Sequence, residues 1–374
     1  MNTSGRNSCL ISLLLSFLFL ATCAASANFA QQVDAASSAS APQAKYHGVD
    51  AAPPPPDFHE DWNNLSLSTS KLAPQPPLLG ETDDLKDSDF VRQLYQVSWR
   101  PGDNIDLYVI RPRNVKKPPV ILYLYDFPQD TDRFKNKRWC DMVTHGGYAA
   151  VGFVSALTGQ RFHDRPMKEW FVSDMQESLV TSVHDVQMII SYLATREDLD
   201  MNRVGMFGNG SGASIAILAA AVDARIKALD VLSPWGDWPD WLATTNKLRA
   251  DEHEKFLKPD FLATISPIDP VDWVSKIKTQ RLRIQNLRSS PEVPEKIQLK
   301  IEAAAPDTAV IYQYGDDLAL IRLAAGGGSL DWIKKQLTAD PAEKIVANRQ
   351  GNTHFFAPSD PKLPDPNEPI QRVN

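Results

Sequence analysis

Asn202-Arg203-Val204-Gly205-Met206-Phe207-Gly208-Asn209-Gly210-Ser211-Gly212-Ala213 takes the chain from an apolar strand straight into a helix through a glycine-rich turn. Val204 to Phe207 is a short continuous apolar run, and the small residues from Ser211 through Ala221 continue as a helix. Before it, Leu179, Val183, Val186, Ile190 and Leu193 recur at steps of four and three, one apolar face of a long helix over Glu177–Thr195. Ser173-Asp174-Met175-Gln176 reads as the capping box that starts that helix. Further runs of the same buried type are Val120–Leu124, Ala149–Val154, Ala228–Leu232, Leu282–Ile284 and Ala309–Tyr312. Separated by helical stretches, they predict a doubly wound, mostly parallel α/β sheet with helices on both faces. Val91 to Arg100 alternates, turns at Pro101-Gly102-Asp103 and returns over Asn104–Ile110, a β-hairpin at the sheet's start. Later helices are read around Pro294–Ala304 and Ser329–Leu337, and Trp235 to about Lys278 is a longer insertion.

The stretch around Gly210 resembles the nucleophile elbow of the α/β-hydrolases, in which G-x-S-x-G holds a serine on a strained turn at the top edge of the sheet. Gly208 and Gly212 match the flanking glycines, needed where strand and helix approach too closely for a Cβ. The likeness runs over most of residues 90–337 and is nearest to dienelactone hydrolases and acetyl xylan esterases. The Glu177–Thr195 helix, Arg203-Val204-Gly205 and Ser266-Pro267-Ile268-Asp269-Pro270-Val271 all suit it. In that register the nucleophile position holds Gly210, which carries no nucleophile and relieves the turn of strain. Sliding by one makes Ser211 the nucleophile, but Asn209 and Ala213 then stand at the glycine positions, and Ser211 falls in the first helical turn.

What else the resemblance implies about the site is mostly missing. The oxyanion loop corresponds to Tyr125-Asp126; with Ser211, Gly212 and Trp235, these residues mark the cleft region. The acid should follow the seventh strand, where Ile284–Pro291 offers no aspartate and Ser290 falls nearest. The histidine should follow the eighth, where Tyr314-Gly315-Asp316-Asp317 stands. Without an acid and an imidazole a serine hydroxyl is barely nucleophilic. Gly351-Asn352-Thr353-His354 resembles a catalytic-histidine loop placed late, so His354 is either the base or a tail residue. His184 lies within a helix, His145 at a helix end, and no histidine spacing resembles a metal site. Trp235, Trp238 and Trp241 interleave with Asp237 and Asp240, which suits either a ring-bearing ligand or, more simply, packing of the insertion.

Residues 1–27 read as a signal peptide: Arg6, an apolar run from Leu10 to Leu20, and Ala25-Ser26-Ala27 ahead of a mature start at Asn28. Leu20-Ala21-Thr22-Cys23 also resembles a lipoprotein box, giving a membrane tether through Cys23. Either route exports the protein, to the periplasm or the medium. Residues 28–60, rich in Ala, Ser and Pro, read as a disordered linker; 61–356 as the folded domain; 357–374 as an irregular tail. Cys140 is then the lone cysteine of the mature body, a small buried hydrophobe in a helix. A net charge of −7 with no basic stripe excludes nucleic acid as a partner, and no cofactor motif is seen. Three functions remain open: an inactive hydrolase homologue holding a small molecule or cell-envelope ligand in the old cleft, a serine esterase or peptidase using Ser211 and His354, and a structural envelope protein.

Overall fold

The computed structural model describes residues 59–83, 88–100, 103–127, 132–157, 171–279, 281–314, 317–325 and 327–339. The signal sequence, Cys23, most of the linker, His354 and the tail lie outside them. Strands β1 (Leu79–Asp83), β2 (Phe90–Arg100), β3 (Asp103–Pro112), β4 (Pro119–Leu124), β5 (Ala149–Phe153), β6 (Asp200–Asn209), β7 (Ile226–Leu232), β8 (Leu282–Leu287) and β9 (Val310–Tyr314) form one sheet. Its order is β1-β2-β3-β5-β4-β6-β7-β8-β9. The first three strands and the β3–β5 join are antiparallel; from β5 to β9 every pairing is parallel. Each central strand is an apolar run because both of its faces are covered.

The main helices are α1 (Lys137–Thr144), α2 (Met175–Leu193), α3 (Ser211–Val222), α4 (Trp238–Thr244), α5 (Glu295–Ala304), α6 (Asp317–Ala325) and α7 (Asp331–Thr338). Helices α2 and α3 share one buried cluster with the insertion, whereas α1 and α7 enclose a second, aromatic one on the opposite face. From Ser211 to Ala221 every residue of α3 is buried, as expected of a helix without a polar face.

Several local expectations change. The capping box does not form: Phe171–Asp174 is a 3-10 turn, Asp174 occupies the cap without a side-chain bond, and Gln176 donates instead to Asn63 Oδ1 at 3.2 Å. The box needs its serine at the cap, and the turn starts α2 one residue too late. Strand β1, with no strong alternation, and helix α6, which begins where a histidine loop was expected, were not legible. The insertion folds as short helices, α4, His253–Phe256, Pro259–Ile265 and Pro270–Trp273, laid over α3 and its neighbours. Among the described residues no helix is long and apolar enough to cross a membrane.

Glu60, read as the linker's last residue, is buried. Its carboxylate meets the Arg100 guanidinium at 2.5 and 2.8 Å and His184 Nδ1 at 2.7 Å. Arg100 also reaches Asp185 at 2.5 Å, and His184 Nε2 lies 2.8 Å from the Asn64 carbonyl. This ionic cluster pins the segment entering the domain onto α2.

Candidate functional site

Strand β6 ends at Asn209, and Gly210 turns the chain into α3 with φ +55° and ψ −119°. Those are the angles of the first central residue of a type II′ turn, a conformation glycine takes without penalty. The approach of strand and helix is as close as the flanking glycines suggest. A Cβ on Gly208 would lie 2.6 Å from Ala213 Cα, and one on Gly212 would lie 2.6 Å from the Leu124 carbonyl carbon. Neither position has room for a side chain.

At the apex the obstacle is a side chain from another loop. A Cβ on Gly210 would fall 2.5 Å from Asp126 Cγ. Asp126 follows β4, and its carboxylate occupies the place a nucleophile's side chain would need. Its Oδ1 accepts the Ser211 amide N–H at 3.0 Å and the Ser211 hydroxyl at 3.1 Å. Ser211 Oγ in turn accepts the Phe127 amide at 2.9 Å. The single hydroxyl proton of Ser211 is therefore committed to Asp126. Ser211 is the first residue of α3, buried, and none of the described histidines is bonded to it.

Two further residues complete the cluster. Lys247, after α4, stands 2.9 Å from Glu292 Oε1 and 3.8 Å from Asp126 Oδ2, above the Trp235 ring. Glu292 follows β8 and interacts directly with the Asp126 carboxyl. Burial, and then the negative charge of Glu292, push Asp126 up to about 7, against the Ser211 amide and Lys247, which favour its ionised form. Two acids thus share one cation. Neither partner is legible in the sequence: Glu292 lies one residue beyond the Ile284–Pro291 segment in which an acid is expected, and Lys247 carries no motif at all.

The other residues singled out lie elsewhere. Tyr125 is buried, and its hydroxyl accepts the Trp139 indole N–H at 2.9 Å, away from the elbow. Trp235, Trp238 and Trp241 are buried, the first and third stacked with centroids 4.5 Å apart, so the tryptophans are packing for the insertion. Asp237 and Asp240 pair with Lys300, and Asp240 also with Lys296 at 2.6 Å. Asp269 accepts the amides of Asp237 and Trp238 at 2.9 and 2.8 Å, which explains the Ser266–Val271 segment as a clamp on the start of α4. Ser290 Oγ accepts the Val293 amide at 3.3 Å, a turn bond within its own loop. Cys140 is buried in α1, and burial pushes its thiol up to about 11. Among the described residues no group of three or more His, Cys, Asp or Glu could hold a metal ion.

Six consecutive parallel strands, the β5–β4 crossover and a glycine elbow between β6 and α3 decide the architecture. The fold is that of the α/β-hydrolases. An acetyl xylan esterase from Paenibacillus sp. superposes with a TM-score of 0.53 at 14% identity, over 70% of this chain and 89% of that one. Acetyl xylan esterase 1 from Thermoanaerobacterium sp. gives 0.52 at 14% identity, over 65% and 82%. The acylaminoacyl peptidase of Pyrococcus horikoshii gives 0.53 at 14% identity, over 72% of this chain but only 44% of the larger enzyme. No protein-family model matches the chain, and no curated protein is similar to it in sequence. In this α/β-hydrolase fold Gly210 stands at the turn between β6 and α3, Glu292 in the loop after β8, and the Ser211 amide at the start of α3.

Proposed function

We propose that the chain is an exported, catalytically inactive α/β-hydrolase homologue that binds a small molecule or cell-envelope ligand at the former active-site cleft. The single observation that carries the reading is the Asp126 carboxylate lying over Gly210 and bonded to Ser211. It accounts at once for the absent nucleophile and for the oxyanion donor being already taken. Hydrolysis of an ester needs an attacking oxygen, a base to deprotonate it and free donors for the developing oxyanion. Gly210 supplies no oxygen, and Ser211 donates its hydroxyl hydrogen bond to a carboxylate that none of the described histidines adjoins. Export rests on Arg6, the Leu10–Leu20 run and Ala25-Ser26-Ala27, with Cys23 as the alternative lipid anchor.

A second reading has one observation in its favour: solved structures that share this fold are named as esterases and a peptidase. It would use Ser211 with His354 as base. The two separate in one assay. The mature protein should hydrolyse p-nitrophenyl acetate no faster than a heat-denatured control. Turnover abolished by Ser211→Ala and by His354→Ala would overturn the inactive reading in favour of the esterase.

A further inference from the structure

A pocket of about 780 Å³ lies between α1, the turn from α6 into α7, and α7 itself. That volume is of the size that holds a small organic molecule. Asp126, Gly210, Ser211, Lys247 and Glu292 take no part in its walls, and α1 and α7 cover the sheet face away from α3. The pocket is therefore separate from the elbow. Asn136 Oδ1 accepts the Trp139 amide at 3.1 Å and starts α1 there, which brings Trp139 and Met142 into the wall one turn apart. The α6–α7 turn rests on Met142 through Gly327, with φ +77°, where an added Cβ would lie 2.9 Å from Met142 Cγ. These residues give the pocket its apolar part.

Its polar part is cationic. Lys334, on α7, is 9% exposed and lines the pocket. Its ammonium donates to the Met142 and His145 carbonyls at 2.9 and 3.1 Å, which closes the C-terminal end of α1. An ammonium has three N–H donors, and the third has no acceptor among the described residues. No carboxylate among them pairs with Lys334 either; burial works against its charge, and Asp331 offsets this only in part. Arg133 and Arg138 also line the pocket with no described acid bound to them, Arg133 lying over the Tyr125 ring at 4.3 Å. Asp141, in the same wall, is taken by Lys137 at 2.8 Å. Capping α1 explains two of the Lys334 bonds and neither arginine.

We propose that this pocket is a second ligand site, for an organic acid whose ring lies on Trp139 and Met142 and whose anionic group meets Lys334, Arg133 and Arg138. Carboxylate and phosphate share the chemistry required: oxygens that accept the third ammonium N–H and take a guanidinium fork. The ligand supplies a counter-charge to a buried ammonium and displaces no internal bond to do so. The elbow differs in this respect, because Asp126 already holds the Ser211 amide and hydroxyl there. The site goes beyond the reading of the cleft and stands whether or not the elbow is inert.

The test titrates the full chain, methyl-labelled at methionine, with naphthoate, naphthyl phosphate and the neutral naphthamide. The Met142 methyl resonance, assigned by Met142→Leu, reports on the pocket. At least one of the acids should move it saturably, with the amide weaker by about tenfold, the worth of one charge-assisted hydrogen bond. The tighter of the two acids identifies the anionic group. Arg138→Gln, at an exposed position, should weaken the acid about threefold and leave the amide unchanged. Lys334→Met should abolish the preference for acid over amide; where loss of its cap on α1 unfolds that variant, Arg138→Gln decides. An unmoved Met142 methyl, equal binding of acid and amide, or acid affinity unaltered by Arg138→Gln would overturn the proposal. Any of these leaves the inactive reading of the elbow standing, whereas hydrolysis of an activated ester would sink that reading and leave the pocket standing.

Discussion

Restoring a serine at the elbow is a demanding test at the residue scale. Gly210→Ser would place a Cβ against the Asp126 carboxylate on a backbone with φ +55°. Forcing a non-glycine residue into such a region costs about 1–3 kcal/mol, and displacing Asp126 from the Ser211 amide adds to it. The expected outcome is a lower melting temperature with no gain in p-nitrophenyl acetate hydrolysis. The new hydroxyl would meet a carboxylate in place of an imidazole, and triads lose several orders of magnitude when one member is gone. Hydrolysis well above background by this variant would mean that a functional base already stands within reach. Calorimetry and a rate measurement on one preparation read both halves of the forecast. Of these residues, the glycines could be read from the sequence because their spacing is fixed by a close backbone approach. Asp126, Glu292 and Lys247 could not, since they come from three loops far apart in the chain and meet only through the sheet.

The helices and strands show how a single element is held. Helix α2 buries most of its length, and its buried Asp185 and His184 face the Arg100–Glu60 cluster. Burial works against an ionised Glu60, but hydrogen bonds from His184 and Arg100 prevail and hold it at about 2, below its ordinary 4.5. A carboxylate depressed on folding lends stability that is complete above its unfolded value and lost as pH falls toward its folded one. The protein should therefore lose stability between about pH 4.5 and 2 as Glu60 takes up a proton. Glu60→Gln should be destabilised already at neutral pH, by about 3–5 kcal/mol, because it leaves Arg100 and its partners short of one charge. Its stability should also fall less steeply over the acid window. Denaturant melts of the two proteins at a series of pH values check both, and parallel pH curves would refute the assignment. The apolar periodicity of α2 was plain in the sequence. Its ionic face was not, because Glu60 lies over a hundred residues away in a stretch whose composition reads as linker.

For the molecule as a whole, the entering segment belongs to the core. Leu65 is buried in the main cluster with Trp62, Leu67 and Leu72 packed around it. Gln187 of α2 donates to the Leu65 carbonyl at 2.7 Å and accepts from the Leu67 amide at 3.2 Å. A chain truncated through Leu72 would lose this packing and leave Arg100, Asp185 and His184 without Glu60. Its melting temperature should fall by roughly 10 °C or more, the size expected from breaking one buried ionic cluster in a domain this large. A truncated protein that melts with the full chain would show that the segment merely rests on the surface.

The sequence by itself determined the layered α/β architecture, the elbow between β6 and α3, and the glycine at its apex. Each depends on local chemistry: apolar runs for strands covered on both sides, helical periodicity for their covers, and glycine where two backbones touch. The tertiary structure alone decided what stands over that glycine. An aspartate after β4, a glutamate after β8 and a lysine after α4 carry no common motif, and each reads as an ordinary polar loop residue in its own segment. They become one site because parallel strands deliver their loops to the same edge of the sheet, where a buried acid, a second acid and a shared cation alter one another's charge.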